Sequence, residues 1–317
     1  MITCLYCGNN ATTIYYSGIR DRLGVSRDDW SFVRCSECGS LNLTPRPSPE
    51  QLPSFYPATY SLAKAGQKGI TNKYLARLGH IFVYDRVYYR QLRWVLRTVN
   101  CRTSTIRILD VGCGVGHQLR ILKTWGFDPI GVDTDEEAVR YANDALKVTA
   151  YVGDITTCAD IFGSNHFDVI TAFHVVEHLL DPVSFFKICR ELVRPGGVVA
   201  GALPVCDGTV ARTLGRYWVA LTEAPRHIGI PSHRGLIQAL EATGLTVQEI
   251  ARESVVNVAG SVAISISPRG STSVGSKLGL RHIFSGILML TALPLVAFTE
   301  IFGKPSIVLF AATKSYV

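Results

Sequence analysis

The chain is expected to fold as an α/β domain with a mostly parallel sheet wrapped by helices, preceded by a small four-cysteine module. Three observations carry that expectation. A glycine-rich turn, "DVGCGVG", lies between an apolar strand and a stretch of helical periodicity, strand and helix patterns alternate after it, and two CxxCG pairs precede both. With 317 residues, 47% apolar and 18% charged, the chain can bury a large core and is too apolar to be mainly disordered. A formal net charge of +7 leans toward an anionic partner: a phosphorylated ligand, nucleic acid or an acidic membrane surface. The opening "MITCLYCGNN" has no basic segment leading into an apolar run, so the expected compartment is the cytoplasm, with association at a membrane surface as a variant of it.

Cys4 and Cys7 form the first CxxC pair and Cys35 and Cys38 the second, each followed by glycine in "CLYCG" and "CSECG". Two such turns present four thiolates at tetrahedral distance to a soft cation, and closed four-cysteine sites are usually structural. A zinc ribbon over residues 1–44, carrying one structural zinc, is the expectation; a redox pair or four unligated thiols are the alternatives. The stretch from Ile14 to Val33 alternates as a small hairpin would. Cys101, Cys113, Cys158, Cys189 and Cys206 are scattered and read as small core residues.

Residues 45–100 read as a connector and a basic helix. Prolines crowd "LTPRPSPEQLPSFYPATYS" and exclude a regular helix or a central strand. From Asn72 to Asn100 the pattern becomes helical, with Arg86, Arg90, Arg93 and Arg97 along one face. That stripe is a solvated surface or a face for phosphate or anionic headgroups.

In "IRILDVGCGVGHQLRIL" a strand from Ile106 to Val111 turns on glycines and helical periodicity resumes at Gln118. Gly112 permits the tight turn, Gly114 lets the backbone approach a ligand, and Gly116 opens the helix. The unit suits an adenosyl ligand. A dinucleotide fingerprint would read GxGxxG, whereas this loop reads GxGxG after the acidic Asp110. Asp133 closes the next strand in "IGVDTDEEAV", placed to accept from ribose hydroxyls, and Thr134 with Glu137 suggests a capping box behind it. A third strand, Val148 to Val152, runs into "GDI", which brings Asp154 to the adenine side.

In order and spacing, "ILDVGCGVG", "GVDTDEEAV", "GDI", "FDVITAFHVVEHLLDP" and "LVRPGGVVAGALP" resemble the class I S-adenosylmethionine-dependent methyltransferases over about two thirds of the chain. The resemblance implies a Rossmann-like, seven-stranded class I methyltransferase sheet within residues 101–317. It also implies S-adenosyl-L-methionine held by Asp110, Gly112, Gly114, Gly116, Asp133, Asp154, Ile155, Phe173 and His174. The front end, two CxxCG pairs before "PRPS…YP…Y", is similar to methyltransferases with an N-terminal zinc-binding domain that act on sugars and other small metabolites. Sugar C-methylating members carry a further C-terminal domain that finds no counterpart in this sequence.

Methyl transfer from a sulfonium is an in-line displacement, so alignment matters most, and a hydroxyl acceptor must also lose a proton. His174, Glu177 and His178 stand at i, i+3 and i+4 after the fourth strand of the sheet; on a helix they would share a face, one imidazole taking a proton while the carboxylate orients it. The segment is similar to that of quinone-pathway O-methyltransferases, where an acid and the EH pair can hold a divalent metal; here His174 replaces the acid. The plainer alternative has His174 lining the cofactor and His178 capping a buried backbone group. Asp181 before Pro182 reads as a helix cap. In "EAPRHIGIPSHRGLIQALEATG", His227 lies in a "PRH" loop that resembles the segment closing over the acceptor. Ser232 is the expected cap and Gly244 the stop of the following helix, with His233 and Arg234 on the surface of its first turn. The candidate catalytic set is therefore Glu177, His178 and His227.

The expected function is methyl transfer to a small-molecule, sugar or lipid-linked acceptor. The alternatives are an RNA methyltransferase and a non-catalytic S-adenosylmethionine-binding adaptor. Against nucleic acid, the cysteine module lacks interleaved basic and aromatic residues. One segment stands apart: the apolar insertion at 282–303, "HIFSGILMLTALPLVAFTEIF" and the glycine after it, is nearly long enough to span a bilayer. A strand within Leu245 to Ile250 and a final strand in "SIVLFAATK" would belong to one sheet, which excludes a full span. The insertion is then an interfacial hairpin bent at Pro294, a homodimer contact or a cap over the substrate pocket, and peripheral membrane contact would use Arg281, His282, Lys304 and the arginine stripe.

Overall fold

The computed structural model describes residues 2–57, 60, 85–99, 106–267 and 280–316, with the backbone alone for 280–290. Strands β1 (Thr12–Arg20), β2 (Asp29–Cys35) and β3 (Leu41–Thr44) form an antiparallel ribbon, β1 against β2 and β2 against β3. The proline-rich connector makes only a 3-10 turn, Leu52–Phe55, which needs fewer backbone donors than an α-helix. Helix α1 (Asp85–Thr98) follows; the earlier part of the expected helix, from Asn72, lies outside the described residues.

The main body alternates as expected: β4 (Ile108–Val111), α2 (His117–Thr124), β5 (Ile130–Asp133), α3 (Glu136–Leu146), β6 (Thr149–Val152), α4 (Ile155–Phe162) and β7 (Phe167–Phe173). After a 3-10 turn at Val176–His178 come α5 (Pro182–Leu192), β8 (Val193–Pro204), α6 (Thr209–Leu214), α7 (Val219–Thr222), β9 (Gly229–Ile230), α8 (His233–Ala242) and β10 (Leu245–Arg252). Two helices, α9 (Val255–Ile266) and α10 (Leu280–Phe302), then lead into β11 (Ile307–Lys314).

Seven strands form one sheet in the order β10-β11-β8-β7-β4-β5-β6. β11 runs antiparallel to both neighbours, while β8, β7, β4, β5 and β6 are parallel. Parallel strands covered on both faces should be continuously apolar, and β7, "FDVITAF", is buried through its first six residues. The chain leaves β4 toward β5 and β6 on one side and returns to β7 on the other. That reversal opens a crevice beyond the carboxyl ends of β4 and β7, the place where open α/β sheets bind ligands.

Asp181 caps α5 by accepting the Ser184 amide with Pro182 in its first turn, and Ser232 caps α8 by accepting from Gly235, as expected. At α3 the cap is one residue later than expected: Asp135, not Thr134, accepts the Ala138 amide at 3.1 Å. Asp133 ends β5 and takes the Asp135 amide itself, which pushes the helix start downstream. Of the five scattered cysteines, Cys113, Cys158 and Cys189 are buried, Cys206 is partly buried and Cys101 lies outside the described residues. The apolar insertion is a single helix, α10, that runs through Pro294 instead of bending into a hairpin there, and it packs against α9. Among the described residues no helix is long and apolar enough to cross a membrane.

Candidate active site and four-cysteine centre

The GxGxG turn leaves β4 with Gly112, Gly114 and Gly116 all at positive φ (69°, 52° and 80°), conformations that cost a side chain but not glycine. The three glycines do different work. A Cβ on Gly112 would lie 2.4 Å from Val175, and one on Gly116 2.9 Å from Ala142, so these two are required by packing. A Cβ on Gly114 would meet nothing within 4 Å, so that turn borders open space, a candidate cradle for the ligand. Asp133 Oδ2 accepts the Gly114 amide at 2.8 Å and locks the turn against the end of β5. Asp110 is buried beneath it and accepts from Thr171 Oγ1 at 2.7 Å; burial pushes its carboxyl up to about 7, more than the Thr171 hydroxyl pulls it down.

Asp154 stands at the tip of β6, where its Oδ1 accepts the Thr156 and Thr157 amides, and Ile155 begins α4 buried beside it. Phe173 ends β7 at the opposite side of the crevice. His174 follows at φ 57° and hands its amide to Ala202 of β8 at 2.7 Å. The structure thus gathers Asp110, the three glycines, Asp133, Phe173 and His174 at one edge of the sheet.

His174, Glu177 and His178 do not share a helical face, because His174 sits in a left-handed bend after β7 and only Val176–His178 form a 3-10 turn. Glu177 turns inward instead and is 1% exposed. Its Oε1 lies 3.3 Å from His174 Nδ1, and Oε2 has no hydrogen-bond partner among the described residues. Burial raises this carboxyl, but His174, His178 and His227 outweigh it and hold it down at about 2. His178 and His227 pack edge to face with ring centroids 4.6 Å apart. His227 Nδ1 is 2.8 Å from the Ala220 carbonyl and His178 Nδ1 is 3.1 Å from the Arg226 carbonyl. A carbonyl only accepts, so the Ala220 contact calls for a proton on Nδ1 of His227, whereas Nδ1 of His178 faces both the Arg226 carbonyl and the Tyr56 hydroxyl, which can donate or accept. Glu177, His178 and His227 can each offer a ligand atom within 4.8 Å of the others, a set that could also hold a divalent cation. His174 pairs with Glu177 and is not a member of that set.

Three contributors were not singled out in the sequence. Tyr56 places its hydroxyl 3.0 Å from His178 Nδ1; its "YP" setting in the connector was the available signal. Arg226, fully buried between Pro225 and His227, grips Asp21 with both terminal nitrogens, at 2.6 and 3.2 Å, and Glu223 with Nε. Tyr6, between the first two cysteines, donates to the Gly229 carbonyl at 2.8 Å. His233, expected on the surface, is half-buried and bonded to Asp207 at 2.8 Å, whereas Arg234 is exposed and paired with Glu37.

These contacts tie the cysteine module to the histidine loop. β9 joins the ribbon as its fourth strand, with Leu41 opposite Ile230 and Asn42 opposite Gly229. Gly229 is required there, since a Cβ would lie 2.9 Å from Leu5 and 3.1 Å from Tyr6. The four sulfurs of Cys4, Cys7, Cys35 and Cys38 all lie within 4.8 Å of one another, with Cys4 to Cys38 at 3.5 Å and Cys7 to Cys35 at 3.6 Å. Four thiolates about 2.3 Å from one ion stand about 3.8 Å apart in a tetrahedron, so the cluster fits a tetrahedral metal. The Cys38 thiol draws the neighbouring Cys4 well below the usual thiol range, to about 5.

A seven-stranded, doubly wound sheet with this turn and this acid at its central strands is the frame of the Rossmann-like methyltransferases. A family model described as Methyltransferase domain matches residues 64–250, more than half of the chain, and the chain belongs to that family. Ubiquinone biosynthesis O-methyltransferase of Bradyrhizobium diazoefficiens is 31% identical over 125 residues, covering 39% of this chain and 45% of that protein. The protein of the same name from Aliivibrio fischeri is 26% identical over 203 residues, 61% of this chain and 82% of that one. The chain thus spans less than half the length of the first of these relatives. Phosphoethanolamine N-methyltransferase 2 of Haemonchus contortus, solved with S-adenosyl-L-methionine, shares the fold with a TM-score of 0.54 at 16% identity, covering 92% of this chain and 70% of that one.

Proposed function

We propose that the protein transfers a methyl group from S-adenosyl-L-methionine to a hydroxyl of a small-molecule, sugar or lipid-linked acceptor. The observation that carries this is the juxtaposition, across Val175, of the Gly114–Asp133 cradle with the buried Glu177, His178 and His227 cluster. S-adenosyl-L-methionine supplies an electrophilic methyl on a sulfonium, which leaves as the neutral thioether once the acceptor oxygen has taken the methyl. Asp133 accepts from the ribose hydroxyls, and the side-chain-free Gly114 lets the backbone close on the ligand. Asp154 and Ile155 border the adenine, and Phe173 and His174 border the methionine side.

On the acceptor side, Nε2 of His227 or His178 takes the hydroxyl proton. Glu177, anionic and buried, stabilises the positive charge the ring then carries. The ribbon contributes placement: Cys4, Cys7, Cys35 and Cys38 hold one structural zinc, and the ribbon presents the loop carrying His227. Two further contacts would suit the exposed face of α10, a membrane surface or a second copy of the chain. Incubation of purified protein with radiolabelled S-adenosyl-L-methionine and fractionated acceptor extracts tests the activity. Label appearing in an organic-soluble or sugar fraction is the expected result; label confined to RNA would favour the nucleic-acid alternative, and none in any fraction the adaptor.

A further inference from the structure

Helix α10 is built inside out for a helix facing water. Its outward stripe is Pro294, Leu295, Phe298, Ile301 and Phe302, at the spacing of one helical face, and the inward positions are Val296 and the carboxylate of Glu300. Leu295 is 68% and Phe302 75% exposed, while Glu300 is 1% exposed. The Phe298 and Phe302 rings lie against each other at a 45° tilt, centroids 4.8 Å apart, and both are exposed. A single exposed leucine needs no explanation, but a contiguous apolar face with the acid turned inward does.

The location of this face narrows what covers it. Register places Ile307 opposite Pro204 and Ala202 beside Phe173, so α10 descends to the sheet at the same edge where β7 delivers His174. Basic residues gather at that edge. Arg252 ends β10 exposed, opposite Val308. Gln91 of α1 donates to Glu253 at 2.6 Å and Trp94 to Glu249 at 3.3 Å, so α1 runs down β10 with its N-terminal turns at the edge. Arg86 and Arg90 lie on those turns, and both are exposed. Arg86, Arg90 and Arg252 are thus exposed at the sheet edge to which α10 descends, while the only acid of the α10 face, Glu300, is buried beside Arg252.

We propose that this face docks the protein on an anionic lipid surface, with Leu295, Phe298, Ile301 and Phe302 entering the headgroup and acyl boundary and Arg86, Arg90 and Arg252 meeting lipid phosphates. The docked edge is the one onto which the crevice opens. The interaction does not depend on the reaction assigned above. A protein partner would be expected to bring its own acids to these arginines; the lipid surface supplies both the apolar layer and the negative charge in one plane.

Sedimentation of the full chain with vesicles tests the proposal. Phosphatidylcholine vesicles containing phosphatidylglycerol should carry the protein down, plain phosphatidylcholine vesicles should not, and high salt should release it. Burial of one large apolar side chain is worth more than a tenfold change in partitioning, so Leu295→Glu/Phe298→Glu should lower binding by about tenfold or more. Arg86→Glu/Arg90→Glu should remove the preference for the anionic lipid, and Ile14→Glu, an exposed apolar site on the cysteine ribbon, should change neither. Equal sedimentation of Leu295→Glu/Phe298→Glu and the parent chain would overturn the proposal. So would indifference to anionic vesicles together with a dimer in analytical ultracentrifugation that Leu295→Glu/Phe298→Glu dissolves, which would assign the face to a second copy.

Discussion

The backbone amide of Leu43, in the last strand of the cysteine ribbon, donates to the carbonyl of Ile228 at 2.8 Å. Ile228 in turn gives its own amide to the carbonyl of Glu177 at 2.8 Å. One residue therefore bridges the ribbon and the Glu177 turn, and its predecessor is His227. Ribbon, histidine loop and Glu177 turn are joined by one run of hydrogen bonds, while the Gly114–Asp133 turn is anchored separately on β4 and β5.

Loss of the metal should consequently damage the acceptor side and spare the donor side. In Cys35→Ser the cluster loses a ligand and the end of β2, against which β3 pairs, loses its anchor, so turnover should fall by about 10²-fold, the size expected from misplacing a catalytic group by about 1 Å. Affinity for S-adenosylhomocysteine should stay within about threefold, below the cost of one hydrogen bond. Metal analysis should find about one equivalent in the parent protein. A variant lacking all four cysteines that keeps its zinc would contradict the assignment.

His178→Ala and His227→Ala should each lower turnover by about 10²-fold or more with donor affinity unchanged, the usual contribution of a general base. Steady-state kinetics beside donor titrations separate the two quantities. Near-normal rates in both variants would mean that the acceptor ionises without either ring.

The Asp21–Arg226 pair is the strongest buried link between the ribbon and the histidine loop, with Asp21 also accepting the Leu23, Val25 and Ser26 amides. Removing one partner strands the other charge, so Asp21→Ala should lose about 3–5 kcal/mol in urea unfolding. A loss below about 1 kcal/mol would place the pair in the solvent-exposed class instead.

The pH dependence of stability carries a signature of Asp110. Burial holds its carboxyl up at about 7 in the fold, above its ordinary value of 3.8, so the native state holds the proton longer than the unfolded state does. Stability should therefore fall as pH rises between about 4 and 7. Asp110→Asn should remove that part of the slope, its advantage over the parent growing across the window and levelling off above it. Parallel melting curves over pH 4–7 would contradict the buried, proton-holding carboxyl.

Much of the candidate donor site was legible because it is local. Gly112, Gly114, Gly116 and Asp133 lie on one strand, turn and strand, and their backbone requirements are written in residue type. The four cysteines announced themselves by spacing. The proposed acceptor side is assembled from three distant segments, Tyr56, Glu177 with His178, and Arg226 with His227, and no periodicity links them. The pairing of β9 with the ribbon rests on two residues, Gly229 and Ile230, too short a strand to show any pattern. The helical face expected of His174, Glu177 and His178 failed because burial of Glu177 among the histidines favoured a 3-10 turn over the regular period. The strand positions flanking the apolar insertion were readable, whereas α10 turns its apolar residues outward, which no amphipathic pattern discloses without its neighbours.

Donor binding through the cradle is decided by calorimetry of S-adenosylmethionine against the parent protein and Asp133→Ala. Asp133 accepts from both ribose hydroxyls in the proposed pose, and charge-assisted hydrogen bonds are worth about 1.5–3 kcal/mol, so affinity should fall by about 10- to 100-fold in the variant. NAD should show no comparable binding to the parent chain. Unchanged donor affinity in Asp133→Ala, or tighter binding of NAD than of S-adenosylmethionine, would contradict it.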